Sequence, residues 1–275
     1  MPLRLLYKAQ TSVPVEVEGL VPNTVRDMPL AAIERFEIFH GNEKRPLADF
    51  FAISGSAADG RMVFEGDLSG VHWIGAHMTD GEIRVEGHAG RHVGSEMIGG
   101  QLHVSGDASD WVGGEMHGGL IHVRGNAGHL IGAAYRGSPR GMTGGTILVG
   151  GDTGNEIGHT MRRGLLAVGG ACGDFAGINM IAGTILVFGP AGIRSGAGMR
   201  RGTLGLLASS VPKLLPTFRA GSCDKPLFLQ LIFRELRRLD FAFDESLVNS
   251  AYRTYHGDMI ATGRGEVLVP EAAGA

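Results

Sequence analysis

Between residues 59 and 200 the chain repeats itself, and the length of that repeat limits its fold more than any other feature. Seven segments follow one another: DGRMVFEGDLSGVHWIGAHMT (59–79), DGEIRVEGHAGRHVGSEMI (80–98), GGQLHVSGDASDWVGGEMH (99–117), GGLIHVRGNAGHLIGAAYRGSPRGMT (118–143), GGTILVGGDTGNEIGHTMR (144–162), RGLLAVGGACGDFAGINMI (163–181) and AGTILVFGPAGIRSGAGMR (182–200). An eighth start, RGTLGLLAS, follows at 201. Five segments are 19 residues long; the first has two extra residues and the fourth has seven, 135–141. Each carries Gly at its second place, Gly again near its eighth, and a further Gly three residues before a Met. Such a period has no room for a strand, a helix and their turns. The apolar pairs Ile83/Val85, Leu102/Val104, Ile121/Val123, Ile147/Val149, Leu166/Val168 and Ile185/Val187 alternate within each segment, the pattern of a half-buried strand. Glycine at fixed places suits corners that need positive φ or close backbone approach. The expected fold is mainly β: a right-handed parallel β-helix (solenoid) of about seven to eight coils. Each coil would rise by about 4.8 Å, the spacing of paired strands.

Seven methionines hold one place in the seven segments: Met78, Met97, Met116, Met142, Met161, Met180 and Met199. A file of thioethers can be read as a soft-metal site. Methionine is also an adaptable core filler, and a structural ladder inside the coil is the reading adopted. The flanks differ from the repeat. Residues 1–58 are expected to cap the first coil, with a strand in PVEVEGL (14–20) and a short helix in 29–44 ended near Gly41. Residues 59–209 form the glycine-rich β-helix. In 210–275, residues 224–243 (DKPLFLQLIFRELRRLDFAF) read as a helix, with Asp224 as cap and Pro226 in the first turn. Leu227, Leu231, Ile232, Leu236, Leu239 and Phe243 form its apolar stripe. Outward strand positions change from Glu82, Arg84 and Glu86 in early coils to Leu148, Ala167, Leu186 and Phe188 in late ones. A growing apolar face needs a cover, from this helix and from another subunit.

Composition removes several function classes. Hydrophobic residues are 43% of the chain, so 46 glycines do not make it a disordered linker. The net charge of −3 gives no pull toward nucleic acid or an anionic membrane. The start MPLRLLYKAQ lacks the apolar core of a signal peptide, and no apolar run is long enough to span a membrane. Two cysteines, Cys172 and Cys223, lack metal or redox spacing; a cytoplasmic protein is expected. No HExxH, G-x-S-x-G or P-loop occurs, so no catalytic residues are assigned. His103 and His122 share one outward place in adjacent coils but lack a third ligand, and no metal is assigned. Arg162/Arg163 and Arg200/Arg201 recur at one corner two coils apart, roughly 10 Å. The insertion adds Arg136 and Arg140 on the same side of its coil. These six arginines are the candidate binding site for an anionic carrier or an acidic partner.

The GGxIxVxGxAGxxxGxxMxGG repeat, a short N-terminal domain and the tail YRTYHGDMIATGRGEVLV (252–269) resemble the C subunit of formylmethanofuran dehydrogenase. They resemble still more the C subunit of the bacterial formyltransferase/hydrolase complex. The repeat alone is also similar to the C-terminal β-helix of glutamate synthase. The tail residues Tyr255, Gly257, Asp258, Gly263, Gly265 and Glu266 narrow the choice. The resemblance implies a cytoplasmic scaffold that is itself non-catalytic, with the A, B and D subunits as partners and the hydrolytic metal in the A subunit. The bacterial complex passes a formyl group from formyl-tetrahydromethanopterin to a methanofuran-type carrier with a polyglutamate tail, then releases formate. The dehydrogenase interconverts CO₂ and formylmethanofuran using molybdenum or tungsten. Arginine outnumbers lysine 21 to 4, which favours the bacterial complex. The alternatives are the dehydrogenase subunit, a glutamate-synthase-like domain protein, and a free-standing polysaccharide enzyme. The last would need a persistent acidic cleft, yet outward Glu65, Glu82 and Glu86 are followed in later coils by Ser105, Arg124 and Gly150.

Overall fold

The computed structural model describes residues 1–210 and 212–271; Val211 and 272–275 of the expected C-terminal segment lie outside the described residues. The fold is mainly β. Near the N-terminus lie β1 (Leu3–Tyr7), β2 (Val15–Glu16), α1 (Pro22–Val25), α2 (Leu30–Glu34), β3 (Glu37–His40), β4 (Glu43–Pro46) and β5 (Phe51–Ser54). The repeats supply β6 (Arg61–Glu65), β7 (Val71–His72), β8 (Glu82–Glu86), β9 (Gln101–Val104), β10 (Leu120–Val123), β11 (Thr146–Val149), β12 (Leu165–Val168), β13 (Thr184–Val187) and β14 (Arg201–Leu206). The C-terminal part adds β15 (Arg219–Asp224), α3 (Leu227–Arg238), β16 (Tyr252–Gly257) and β17 (Arg264–Pro270). The 13-stranded sheet runs β15-β16-β17-β14-β13-β12-β11-β10-β9-β8-β6-β1-β5, and β4-β3-β2-β7 form a smaller sheet.

From β6 to β14, and on to β17, every neighbouring pair is parallel. The register follows the repeat without a slip: Ile83, Leu102, Ile121, Ile147, Leu166, Ile185, Leu204 and Val267 stand side by side, all fully buried. Parallel pairing at period two fixes that column, because a one-residue slip would turn the whole apolar set outward. A second ladder of bridges joins Leu68, Ala89, Ala108, Ala127, Thr153, Cys172 and Ala191. The seven methionines lie in the same core at zero exposure.

The corners are not made of glycine alone. Trp73, His92, Trp111, Leu130, Glu156, Phe175 and Arg194 occupy one corner place, all at φ between 59° and 66°. Side chains tolerate this region only when their surroundings hold them there. Here a backbone ladder does so: Trp73 donates its N–H to Arg91 O, His92 to Asp110 O, and Trp111 to His129 O. Short polar side chains add two more files. Asp107, Asn126 and Asp152 each accept through Oδ1 the backbone N–H 19 or 26 residues on, at 2.7–2.8 Å. Asp110, Asn155 and Asp174 do the same at 2.9 Å, as does His129 through Nδ1.

The flanks correct three expectations. The 29–44 helix is confined to Leu30–Glu34; beyond it FEIFH alternates and forms a hairpin that turns at Gly41, φ +64°. The 14–20 strand is confined to Val15–Glu16. The C-terminal helix spans Leu227–Arg238 rather than 224–243; Pro226 takes its N-cap place without a side-chain cap, and Asp224 ends β15. Its buried stripe is Leu229, Phe233 and Leu236, whereas Leu227 is 77% and Leu231 62% exposed. The stripe covers the late apolar outer face, packing with Leu148, Ala167, Leu186, Leu207 and Leu268. On the outer face of the early strands Arg84 of β8 is exposed, His103 of β9 half-buried and Val63 of β6 buried.

Candidate functional site

Three places on this framework carry groups that can meet another molecule. The first is the corner after the methionine file. Arg162 and Arg163 both donate their backbone N–H to Met142 O, and Arg200 donates to Met180 O. These bonds hold the two arginine pairs at equivalent places, with Ile181 and Ala182 between them. The final strand extends the row, since Arg264 lies in register with Arg201. Sequence reading missed Arg264, although GRG at 263–265 repeats the form of RRG at 200–202. Arg140 reaches the same edge through Gly141, whose N–H donates to Thr160 O at 3.1 Å. Arg136 stands at the other end of that insertion, next to Tyr135. Among the described residues no carboxylate lies within 4.0 Å of any of these seven guanidinium groups, in contrast to Arg26, Arg91, Arg124, Arg237, Arg238 and Arg253. Unpaired and mostly exposed, they keep full donor capacity for an anion.

The second place is the outer sheet face beside the end of α3. His103 and His122 are in register with ring centroids 6.3 Å apart. His103 is half-buried, but His122 is only 2% exposed. Burial pushes the His122 imidazole down to about 4, helped by the nearby Arg124 charge; burial also lowers His103, against Glu82 and with the Arg84 and Arg124 charges. Among the described residues no group of three or more His, Cys, Asp or Glu side chains is placed to hold a metal ion.

The third place was not foreseen. Trp73, His92, Trp111 and Tyr135 form an aromatic column along one corner. Trp73 and His92 stack at 4.0 Å and 6°, and Trp111 and Tyr135 at 4.7 Å and 27°. Tyr135 donates to Ser95 Oγ at 2.8 Å, and its oxygen lies 3.1 Å from His92 Nδ1. Burial raises the Tyr135 phenol to about 12 and lowers His92 to about 4. The signal was present: Trp73, His92 and Trp111 recur at the 19-residue spacing. The insertion therefore starts as a packing element, with Tyr135 closing the column, before it exposes its arginines. These three places offer charge, hydrogen bonds and stacking surface.

A family model for the GXGXG motif matches residues 69–211, just over half of the chain, so the protein belongs to the GXGXG family. A chain of the crystal structure of the formyltransferase/hydrolase complex (FhcABCD) from Methylorubrum extorquens, in complex with methylofuran, is 33% identical and superposes with a TM-score of 0.90 over 98% of this chain and 99% of that one. The C subunit of the tungsten-containing formylmethanofuran dehydrogenase 2 of Methanothermobacter thermautotrophicus is 38% identical over 93 residues, 32% of this chain. The C subunit of the molybdenum-containing formylmethanofuran dehydrogenase 1 of Methanothermobacter marburgensis is 40% identical over 87 residues, 31% of this chain. The matched stretch spans 34% of the first curated relative and 22% of the second. Within the GXGXG family this chain is therefore similar to formylmethanofuran dehydrogenase C subunits over about a third of its length and to one chain of FhcABCD over nearly all of it.

Proposed function

We propose that the chain is a non-catalytic scaffold subunit of a formyltransferase/hydrolase complex, which moves a formyl group onto a methanofuran-type carrier and hydrolyses it to formate. The observation that carries this is the likeness over nearly the whole chain to one chain of FhcABCD, at 98% and 99% coverage. Its partners are the other subunits, A, B and D, and the metal of hydrolysis belongs to one of them. The framework suits the task. The unbroken parallel register and the second ladder of bridges support a right-handed parallel β-helix, the hand that parallel crossovers take by default. In this reading 1–58 cap the first coil, 59–209 are the helix proper, and 210–275 cover its apolar face. The methionine file is packing.

We further propose that the row Arg136, Arg140, Arg162, Arg163, Arg200 and Arg201 steers the anionic tail of the carrier. Its support is seven guanidinium groups, Arg264 included, without carboxylate partners among the described residues. One purification tests both readings. Native complex should bring formyltransferase and amidohydrolase-like subunits, without molybdenum or tungsten. The same preparation containing either metal and iron–sulfur subunits would transfer the chain to the dehydrogenase. A lone monomer would end the scaffold reading. Replacing Arg162, Arg163, Arg200 and Arg201 by alanine should release carrier while the subunits stay together; full carrier retention would remove the arginine role.

A further inference from the structure

His122 poses a problem that the scaffold role leaves unanswered. It is 98% buried, yet its ring has no hydrogen-bond partner among the described residues. Its ring nitrogens are not among the side-chain atoms sealed from solvent without a partner, so they open onto the space that they line and can hydrogen-bond a ligand there. It lines a cavity of about 540 Å³ between the outer face of β9 to β11 and the last turn of α3. That volume is within the range of small-molecule sites. Gln101, His103, Thr146, Arg124 and Arg238 share the lining.

The free valences of this cavity are mostly donors. Its two carboxylates are already engaged: Asp240 accepts from Arg124 at 2.9 Å, and Glu235 accepts from Arg238 at 2.6–2.8 Å. Arg124 spends one N–H on Asp240 Oδ2 and one on Asp240 O, leaving others of its five unspent. The imidazoles, the Gln101 amide and the Thr146 hydroxyl can each donate as well. Burial first, then the Arg124 charge, disfavours a proton on His122, while Asp240 acts the other way. Arg237 and Arg238 offset the negative end of the α3 dipole.

We propose that this cavity is a binding site for a small organic carboxylate, held by His122, His103 and the spare N–H groups of Arg124. The site lies on the sheet face and is separate from the arginine edge.

The test uses the full chain, with acetate and glutarate as probes, read by the imidazole ¹⁵N resonances of His103 and His122. A saturable shift with a Kd of about 1–10 mM for either probe is expected, weakened at least about tenfold in Arg124→Gln. Arg124 is exposed, so this variant keeps the fold; His122→Phe, which fills the ring volume, should abolish the shift of His103. No shift up to about 50 mM of either probe, or equal affinity in Arg124→Gln, would overturn the assignment.

Discussion

The tightest test of the stacked repeat is a pair of atoms two repeats apart. Gly158 has φ +66°, and a Cβ added there would overlap Ile185 Cδ1 while sitting 3.4 Å from Ile185 Cγ1 and 3.7 Å from Met161 Cβ. Gly158→Ala therefore carries two costs. The left-handed backbone costs about 1–2 kcal/mol for a residue with a Cβ. Overpacking a filled core costs about 1–3 kcal/mol more, for a sum of about 2–5 kcal/mol. Ile185→Val alone removes Cδ1 and costs about 0.5–1.5 kcal/mol. In the double variant the alanine methyl enters the space that Cδ1 vacated, so only the backbone cost of about 1–2 kcal/mol remains. The pair should then be coupled by at least about 1 kcal/mol, with Ile185→Val rescuing Gly158→Ala. Urea unfolding followed by circular dichroism, with unchanged m, measures it. Gly113 with Ile147 has the same overlap and should give the same sign. Gly137, at φ +88° with open space around it, provides the control: its alanine variant should show the backbone cost alone. Additivity at Gly158 and Ile185 within about 0.5 kcal/mol would refute the packing argument.

Two further outcomes follow from buried groups. His92 and His122 both titrate near 4 in the folded protein, against about 6.5 in the unfolded chain. Between those values the unfolded chain takes up protons that the native state refuses, so stability must fall as pH drops from about 6.5 to about 4 and level off below. Each contributes about 2 kcal/mol once the water reaching the ring edges is allowed for. His122→Leu should make the loss smaller by about 2 kcal/mol in a urea series from pH 7.5 to 4, and an unchanged profile would contradict the burial argument. Met161, fully buried, should lose about 2–5 kcal/mol as Met161→Ala but under about 1.5 kcal/mol as Met161→Leu. Equal losses would point to a use of the sulfur rather than the volume.

The strands were legible because each repeat states its own pattern seven times. Ile83, Leu102 and Ile121 fix the register from spacing alone, since equal places in a short period must stack. The corners were read less well. Glycine was taken as the corner residue, yet Trp73, His92 and Trp111 hold left-handed φ beside it. Propensity argues against them; inter-repeat hydrogen bonds overrule it, and those bonds exist only after stacking. The Asp107, Asn126 and Asp152 file was invisible for a related reason, as its side chains act on the next repeat rather than on their own turn. In the flanks, single copies had to be read without repetition. Residues 29–44 read as one helix up to Gly41, yet alternation in FEIFH makes Glu37–His40 a strand. For α3, counting apolar residues found a stripe, but its orientation depends on the sheet beneath. Leu229 and Phe233 face Leu186, while Leu231 faces out.

A repeat also says where to look for function. Stacking places equivalent residues in equivalent surroundings, so a position free of other demands should carry similar residues throughout. Departures from that rule mark added constraints. The methionine file keeps one residue in seven repeats and is buried in all of them, as packing requires. The residues just after it do not persist: Thr79 and Asp80, Ile98 and Gly99, then arginine pairs at 162–163 and 200–201, joined in register by Arg264. The outward strand column changes too, from Arg84 through His103 and His122 to Leu148, and α3 ends where the polar residues begin. Packing explains the apolar half of that column through the helix that covers it. It does not explain the histidine pair at the boundary, or arginines at 162–163 and 200–201 that no carboxylate meets among the described residues. Those two departures, one on a face and one on an edge, are the places where the carboxylate and carrier proposals are to be tested.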